Sequence, residues 1–427
     1  MLPTSTPSNL PKDPVVPVPL PPVHKRPVLG AGALAALLAA LSMLGPFAID
    51  AYLPAFPDIQ ADLHANAIEM QQTLSAYLLA FAGMVLWHGA LSDAFGRRNV
   101  ILVAMLVFAV GTFGCAASHS VHYLWVFRIM QGVSAGAGVV VGRAIIRDLY
   151  SDAPAARLLS MVTMIFSIAP AVAPVLGGLI VKYLDWRVIF LFLLVYSLLL
   201  FAVCWRYLPE TLPPGQRQPF NPGYVAKNYS AIFRSPLFHM KSGVVAFNFC
   251  GLFLFITAAP VMLPVHLHLG PDQFAWLFVP SVSGIFLGAL VANRVAGRMT
   301  FARQIGIGFC FLIAAAAANV GYHLFFPPAI PWSVLPMFFY TFGMSIVAPG
   351  ATLLTLDLFP HIRGTVASCQ SFAVTLAGAL VAGVIAPFLS HSVLWLALGQ
   401  LGFGLAALGL WLTSRQYRRM ISAQVAK

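Results

Sequence analysis

Only twelve carboxylates occur in 427 residues, and two of them fall inside long apolar runs. Asp50 closes the first run, and Asp357 lies near the end of the tenth. The other ten sit in polar connections or at run edges. A carboxylate in low dielectric can take up and release a proton near neutral pH, because burial disfavours its charged form. Asp50 is therefore the candidate proton carrier, against the alternative of a carboxylate resting at a helix end by the interface. Asp357 reads as structural, with Arg363 six residues on as its expected partner. One cation, Arg128, stands inside an apolar run, three residues before Gln131 and so on a similar helical face. Two readings of Arg128 stand side by side. It faces a cavity or a partner, or it is a structural arginine reaching to the nearer interface.

Other chemistries find no residues to carry them. The five cysteines, Cys115, Cys204, Cys250, Cys310 and Cys369, each lie in or at the edge of an apolar run. No CxxC or Cys/His metal spacing occurs, so neither a metal nor another cofactor is expected. A nucleotide-binding glycine loop of the GxxxxGK[ST] kind and an HExxH pair are both missing, which argues against an ATP-driven pump and against an enzyme. The formal net charge is +12, yet the basic residues are thinly spread between apolar runs. That pattern offers no basic patch for nucleic acid.

The elements that must hold Asp50 and Arg128 are membrane helices. Hydrophobic residues make up 60% of the chain and charged residues 8%, against about 25% charged in soluble domains. Runs long enough to cross a bilayer, which needs roughly 20 apolar residues, are placed near 29–52, 70–91, 99–118, 121–145, 157–181 and 187–208. Six more lie near 241–264, 274–297, 304–325, 332–355, 364–388 and 392–413. The expected organisation is a proline-rich disordered tail (1–28), a six-helix half (29–208), a polar linker (209–240), a second six-helix half (241–413) and a short tail (414–427). An even number of spans puts both tails on one side. That side, with its loops and helix ends, holds 21 of the 24 Lys and Arg, only Lys182 and Arg187 falling opposite and Arg128 inside a span. The bias marks it as cytoplasmic. Asn293, Gly297 and Arg298, between spans eight and nine, are a faint echo of Asp93, Gly96, Arg97 and Arg98, between spans two and three. Two related halves around a central site predict such an echo.

Several strings carry a resemblance. Gly89-Ala-Leu-Ser-Asp93-Ala-Phe-Gly96-Arg97-Arg98 resembles the loop 2–3 signature of the major facilitator superfamily. Arg128-Ile-Met-Gln131-Gly132 with Gly136 and Gly138 resembles its span-four motif. Ala169-Pro170-Ala-Val-Ala-Pro174-Val-Leu-Gly177-Gly178 is similar to the span-five signature of its drug-exporting members. Three more strings, Ile49–Pro57, Arg143–Tyr150 and Phe359–Ser368, resemble the Bcr/CflA branch of drug/proton antiporters, although Val366 departs from the usual small-residue pattern.

The resemblance implies an all-α integral membrane protein of twelve helices in the major facilitator fold, working as a monomer in the bacterial inner membrane. It implies that Asp93, Gly96, Arg97 and Arg98, with Gly89, latch one transport state. Arg128 would join proton coupling. Pro170, Pro174, Gly177 and Gly178 would mark an exporter, with generic close packing as the alternative. Spans one, four, seven and ten would line the cavity. Candidate substrate contacts there are Tyr52, Tyr77, Gln131, Asn248, Phe253, Tyr340 and Met344, since aromatics and methionine suit adaptable binding of flat apolar ligands. Plain helix packing remains the alternative for each. The expected function is export of small apolar or amphipathic drug-like molecules in exchange for protons, in which protonation of Asp50 loosens its link to the Arg128 region. Rival readings are a proton-coupled transporter of one metabolite, in either direction, and a non-transporting receptor, for which the linker and tail offer no sensing domain.

Overall fold

The computed structural model describes residues 29–425 apart from 151, 167, 218–219, 296–297 and 360–361. The tail 1–28, Gly297, Pro360 and His361 thus lie outside the described residues. Among the described residues, twelve helices are long and apolar enough to cross a membrane. Spans 1 to 6 are Ala31–Asp62, Ala67–Phe95, Arg97–Ala116, Val121–Leu149, Arg157–Tyr183 and Arg187–Tyr207. Spans 7 to 12 are Pro236–His266, Pro271–Val295, Phe301–Phe325, Leu335–Leu356, Arg363–Leu389 and Val393–Ser414. The outward faces are apolar: Val103, Phe113, Leu199 and Trp205 are all exposed. Hydrocarbon covers such a surface, and every backbone group inside it must then be satisfied within a helix or by a neighbour.

The structure carries helix beyond several of the boundaries read from hydropathy. Within the stretch read as linker, a helix forms over Pro222–Phe233, and span 7 begins at Pro236 with Ser235 capping it. The last helix continues from span 12 to Val425. No Pro or Gly follows Ser414, so nothing in that segment stops a helix once it is under way.

Glycine sets how closely several spans approach. In span 4, a Cβ at Gly132 would overlap the Tyr77 carbonyl of span 2, and one at Gly138 would overlap the Leu41 carbonyl of span 1. The span-four motif therefore brings Arg128 deep between spans 1 and 2. The twelve helices alternate in direction, which defines two ends. The linker end holds the Asp93–Arg98 loop and residues 209–235, and the distal end holds the short connections after spans 1, 3, 5, 7, 9 and 11. Contacts between the first six and the last six spans gather at the distal end. Span 2 packs along span 11, span 5 against the start of span 8, and the end of span 1 against span 7. At the linker end the Pro222–Phe233 helix bridges the two sets. Its Tyr229 hydroxyl donates to the Leu86 carbonyl of span 2 at 2.5 Å, while Ile232 packs with Val366 and Cys369 of span 11.

Candidate functional site

Span 1 does not end in a clean cap. Its helix closes at Asp50, a short 3-10 turn (Leu53–Ala55) follows, and a further helix runs to Asp62. The irregularity leaves the Ala48 carbonyl accessible. Arg128, fully buried in span 4, donates to it through Nη1 at 2.9 Å, and through the same nitrogen to Gln131 Oε1 at 2.8 Å. Gln131 Nε2 passes the chain on to the Thr112 hydroxyl of span 3 at 2.8 Å. The guanidinium is sandwiched by two rings, 4.7 Å from the Tyr52 centroid and 4.4 Å from that of Tyr77. Among the described residues its Nε and Nη2 have no hydrogen-bond partner, and the negative ring faces stand in for one. Tyr52 is itself held by a 2.9 Å hydrogen bond with Thr73. This geometry settles the open choice for Arg128: it turns inward to partners and does not reach for an interface.

Asp50 is 6% exposed. Among the described residues no cation lies within ion-pair distance of it, and Arg128 instead binds the carbonyl two residues earlier. Asp50 and the Arg128 region thus meet indirectly, through the backbone of span 1. Both groups act on the last turn of span 1, and the charge of Arg128 is already accommodated by two oxygens and two rings.

Of the seven proposed substrate contacts, Tyr52, Tyr77 and Gln131 belong to this Arg128 cluster. Tyr340, Asn248 and Met344 form a second one in spans 7 and 10. The Tyr340 hydroxyl donates to the Asn248 carbonyl at 3.2 Å, and Asn248 Nδ2 donates to the Met344 carbonyl at 3.2 Å. Phe253 stacks on Phe249 at 5.2 Å and packs by Gly378 of span 11. The structure joins the seven into these separate groups and not into one ring of contacts.

At the linker end, Arg97 organises a compact ion cluster. Its Nη1 meets Asp93 at 2.5 Å and the Ser92 hydroxyl at 2.6 Å, and its Nε meets Asp148 of span 4 at 3.1 Å. Gly89 lies one turn above, its carbonyl taken by Ser92. Arg98 donates to the Trp205 carbonyl of span 6 at 2.5 Å. Gly96 has φ +95°, a conformation that favours glycine. A side chain there would also overlap the Glu210 carboxylate. Glu210 is the residue that motif reading passes over. Its Oε1 accepts the backbone N–H of Arg97 at 2.9 Å, capping span 3 where the helix dipole is positive. The residue pair Pro209-Glu210, just after a span, is a sequence signal that could have found it. Asp357 pairs with Arg363 at 2.8 Å, as expected. His88 is buried within span 2.

In span 5 the two glycines of the exporter-like signature do different jobs. A Cβ at Gly177 would overlap the Ala51 carbonyl of span 1, next to Asp50. A Cβ at Gly178 would overlap the Pro271 carbonyl at the start of span 8, across the boundary between the halves. Pro174 lies inside the same helix and Pro170 at its first turn.

The pattern of the Major Facilitator Superfamily matches residues 33–382. The chain belongs to the Major Facilitator Superfamily. It is accordingly a multi-pass membrane transporter and not an enzyme. Among its superfamily relatives, the bicyclomycin resistance protein homolog of Haemophilus influenzae is 29% identical over 356 residues, covering 82% of this chain and 87% of that protein. Multidrug resistance protein D of Escherichia coli is 29% identical over 352 residues, covering 82% and 84%. The crystal structure of a D-xylose-proton symporter superposes with a TM-score of 0.66 at 15% identity, covering 88% of this chain and 96% of the symporter, and so shares the superfamily fold.

Proposed function

We propose that this transporter exports small apolar or amphipathic drug-like molecules from the cytoplasm in exchange for protons, by alternating access. The observation that carries the reading is Asp50, buried at the last turn of span 1 with no ion-pair partner among the described residues. An ionised group at such depth is expensive, and proton uptake removes the charge. Because Arg128 holds the same turn through Ala48, a change of charge at Asp50 acts on the contact between spans 1 and 4. Gly177 against Ala51 extends that action to span 5. One turn of helix thus connects the proton to the two spans that resemble the coupling and exporter signatures.

Direction is argued from the relatives named for bicyclomycin and multidrug resistance, since the fold itself is shared with a symporter. Orientation is argued from charge: the linker end, rich in Lys and Arg, faces the cytoplasm. Closure at the distal end then corresponds to a state open to the cytoplasm, with Asp93, Arg97 and Asp148 paired among themselves. The separate six-helix units, the monomeric state and placement in the bacterial inner membrane belong to the same reading. In everted vesicles, expression should drive protonophore-sensitive uptake of a drug panel, and Asp50→Asn should abolish it. Proton-driven uptake left intact in Asp50→Asn would reject Asp50 as the carrier.

A further inference from the structure

Three side chains at the distal end of span 2 form a polar strip that crosses between the halves. Gln71 Nε2 donates to the Thr257 carbonyl of span 7 at 3.0 Å. Gln72 Nε2 donates to the Gly383 carbonyl of span 11 at 2.8 Å, and the Ser75 hydroxyl donates to the Ala379 carbonyl at 3.0 Å. Residues 71 and 75, and 72 and 75, are spaced to share one helical face. Gln71 and Ser75 are buried, so these are bonds made away from solvent. Lys182 and Asp272 add an ion pair at 2.8 Å, but both side chains are about a third or more exposed, at 43% and 32%. An exposed pair of this kind holds little.

Span 11 is prepared for the strip. In a continuous helix the Gly383 carbonyl would accept the N–H of residue 387, and residue 387 is proline. The span is locally wound as a π-helix over Val381–Ile385. A carbonyl left without its regular donor in a membrane must find another, and Gln72 supplies it from the opposite half. Gly383 also permits the approach itself, because a Cβ there would overlap the Ser75 hydroxyl.

We propose that Gln72 and Ser75 are gate residues of the transport cycle, and that the Gly383 carbonyl, deprived of its helical donor by Pro387, is the catch they close on. The catch holds the distal end shut and must be released each time the protein opens there. This rests on the alternating-access reading above, but it concerns which contacts hold one state, not what is carried.

Spin labels at Ile68→Cys and Phe388→Cys, both exposed positions near the distal ends of spans 2 and 11, report the opening in the full-length chain in lipid nanodiscs with exposed Cys310 replaced by Ser. The parent protein should show one dominant short distance. Gln72→Glu keeps the size but sets a charge against a carbonyl, and Gly383→Ala forces the spans apart. Both should enlarge the long-distance population by at least roughly threefold, the scale of one interhelical hydrogen bond in a membrane. Pro387→Ala returns an N–H to Gly383 and should also open the gate, which mere packing by Gln72 would not predict. Ser75→Ala removes one oxygen and serves if Gly383→Ala does not fold. Unchanged distances in folded Gln72→Glu and Pro387→Ala proteins would overturn the proposal. The predicted shifts in a protein that exports none of the panel would overturn the export reading and leave the gate standing.

Discussion

The two halves place a large buried side chain at comparable points and equip it differently. Arg128 of span 4 binds the Ala48 carbonyl of span 1, and Tyr340 of span 10 binds the Asn248 carbonyl of span 7. Both are fully buried. Around Arg128 the partners are Gln131, Thr112 and two tyrosine faces, with Asp50 two residues from its carbonyl. Around Tyr340 they are amides: Asn248, and near the Gly251 carbonyl the pair Asn319 and Gln400, 3.4 Å apart. The first centre contains a fixed charge and an acid that can change its own. The second, among the described residues, is neutral. In the proposed exchange the proton is taken up in the first half, and the second offers a wall against which it moves.

That asymmetry can be broken in graded steps. The largest effect is expected from Arg128→Met, which leaves the Ala48 and Gln131 oxygens without a donor. Arg128→Lys should do nearly as badly, because a point charge cannot fill the space between two rings. Proton-driven export should fall by about 5- to 150-fold, the span of ordinary coupling energies, while surface expression and melting show the protein folded. Tyr77→Leu removes one ring face, an interaction of about 0.5–2 kcal/mol. Initial rates of drug efflux should drop by roughly 2- to 30-fold. Tyr340→Phe deletes one hydroxyl bond in the neutral half. Interhelical hydrogen bonds in membranes average about 0.6 kcal/mol, so efflux should change by less than about threefold. Asn319→Leu comes last. Among the described residues its Oδ1 has no partner, and its side-chain bond to Gln400 is long. Removing a half-satisfied amide should leave transport unchanged and hold or raise the melting temperature, since an unmade buried bond is costly. A larger loss from Tyr340→Phe than from Tyr77→Leu would reverse the assignment of roles.

The spans, their order and the inward position of Asp50 were legible because hydropathy integrates over some twenty residues. Arg128 was legible as a charge in an apolar run and Gln131 as its neighbour, but its other partners were not. Two of them are ring faces and one is a backbone carbonyl freed by the irregular end of span 1. Glu210 escaped notice because a carboxylate after a span resembles any loop residue until the turn at Gly96 brings it to the start of span 3. The distal strip was hidden for a similar reason. Glutamines bonding to carbonyls leave no periodic trace, although Gly383 four residues before Pro387 marks the spot. The helix at Pro222–Phe233 was read as linker since its 12 residues are too few to cross a bilayer and its partners, Leu86 and Cys369, are far away in sequence.

The central claim is that Asp50 is the group whose proton exchanges against the drug. Purified protein in weakly buffered detergent solution near neutral pH, mixed with a transported drug, measures this directly through proton release. The account predicts that drug binding liberates protons from the parent protein and none from Asp50→Asn, while Asp357→Asn behaves like the parent. Equal release from Asp50→Asn and the parent would contradict it.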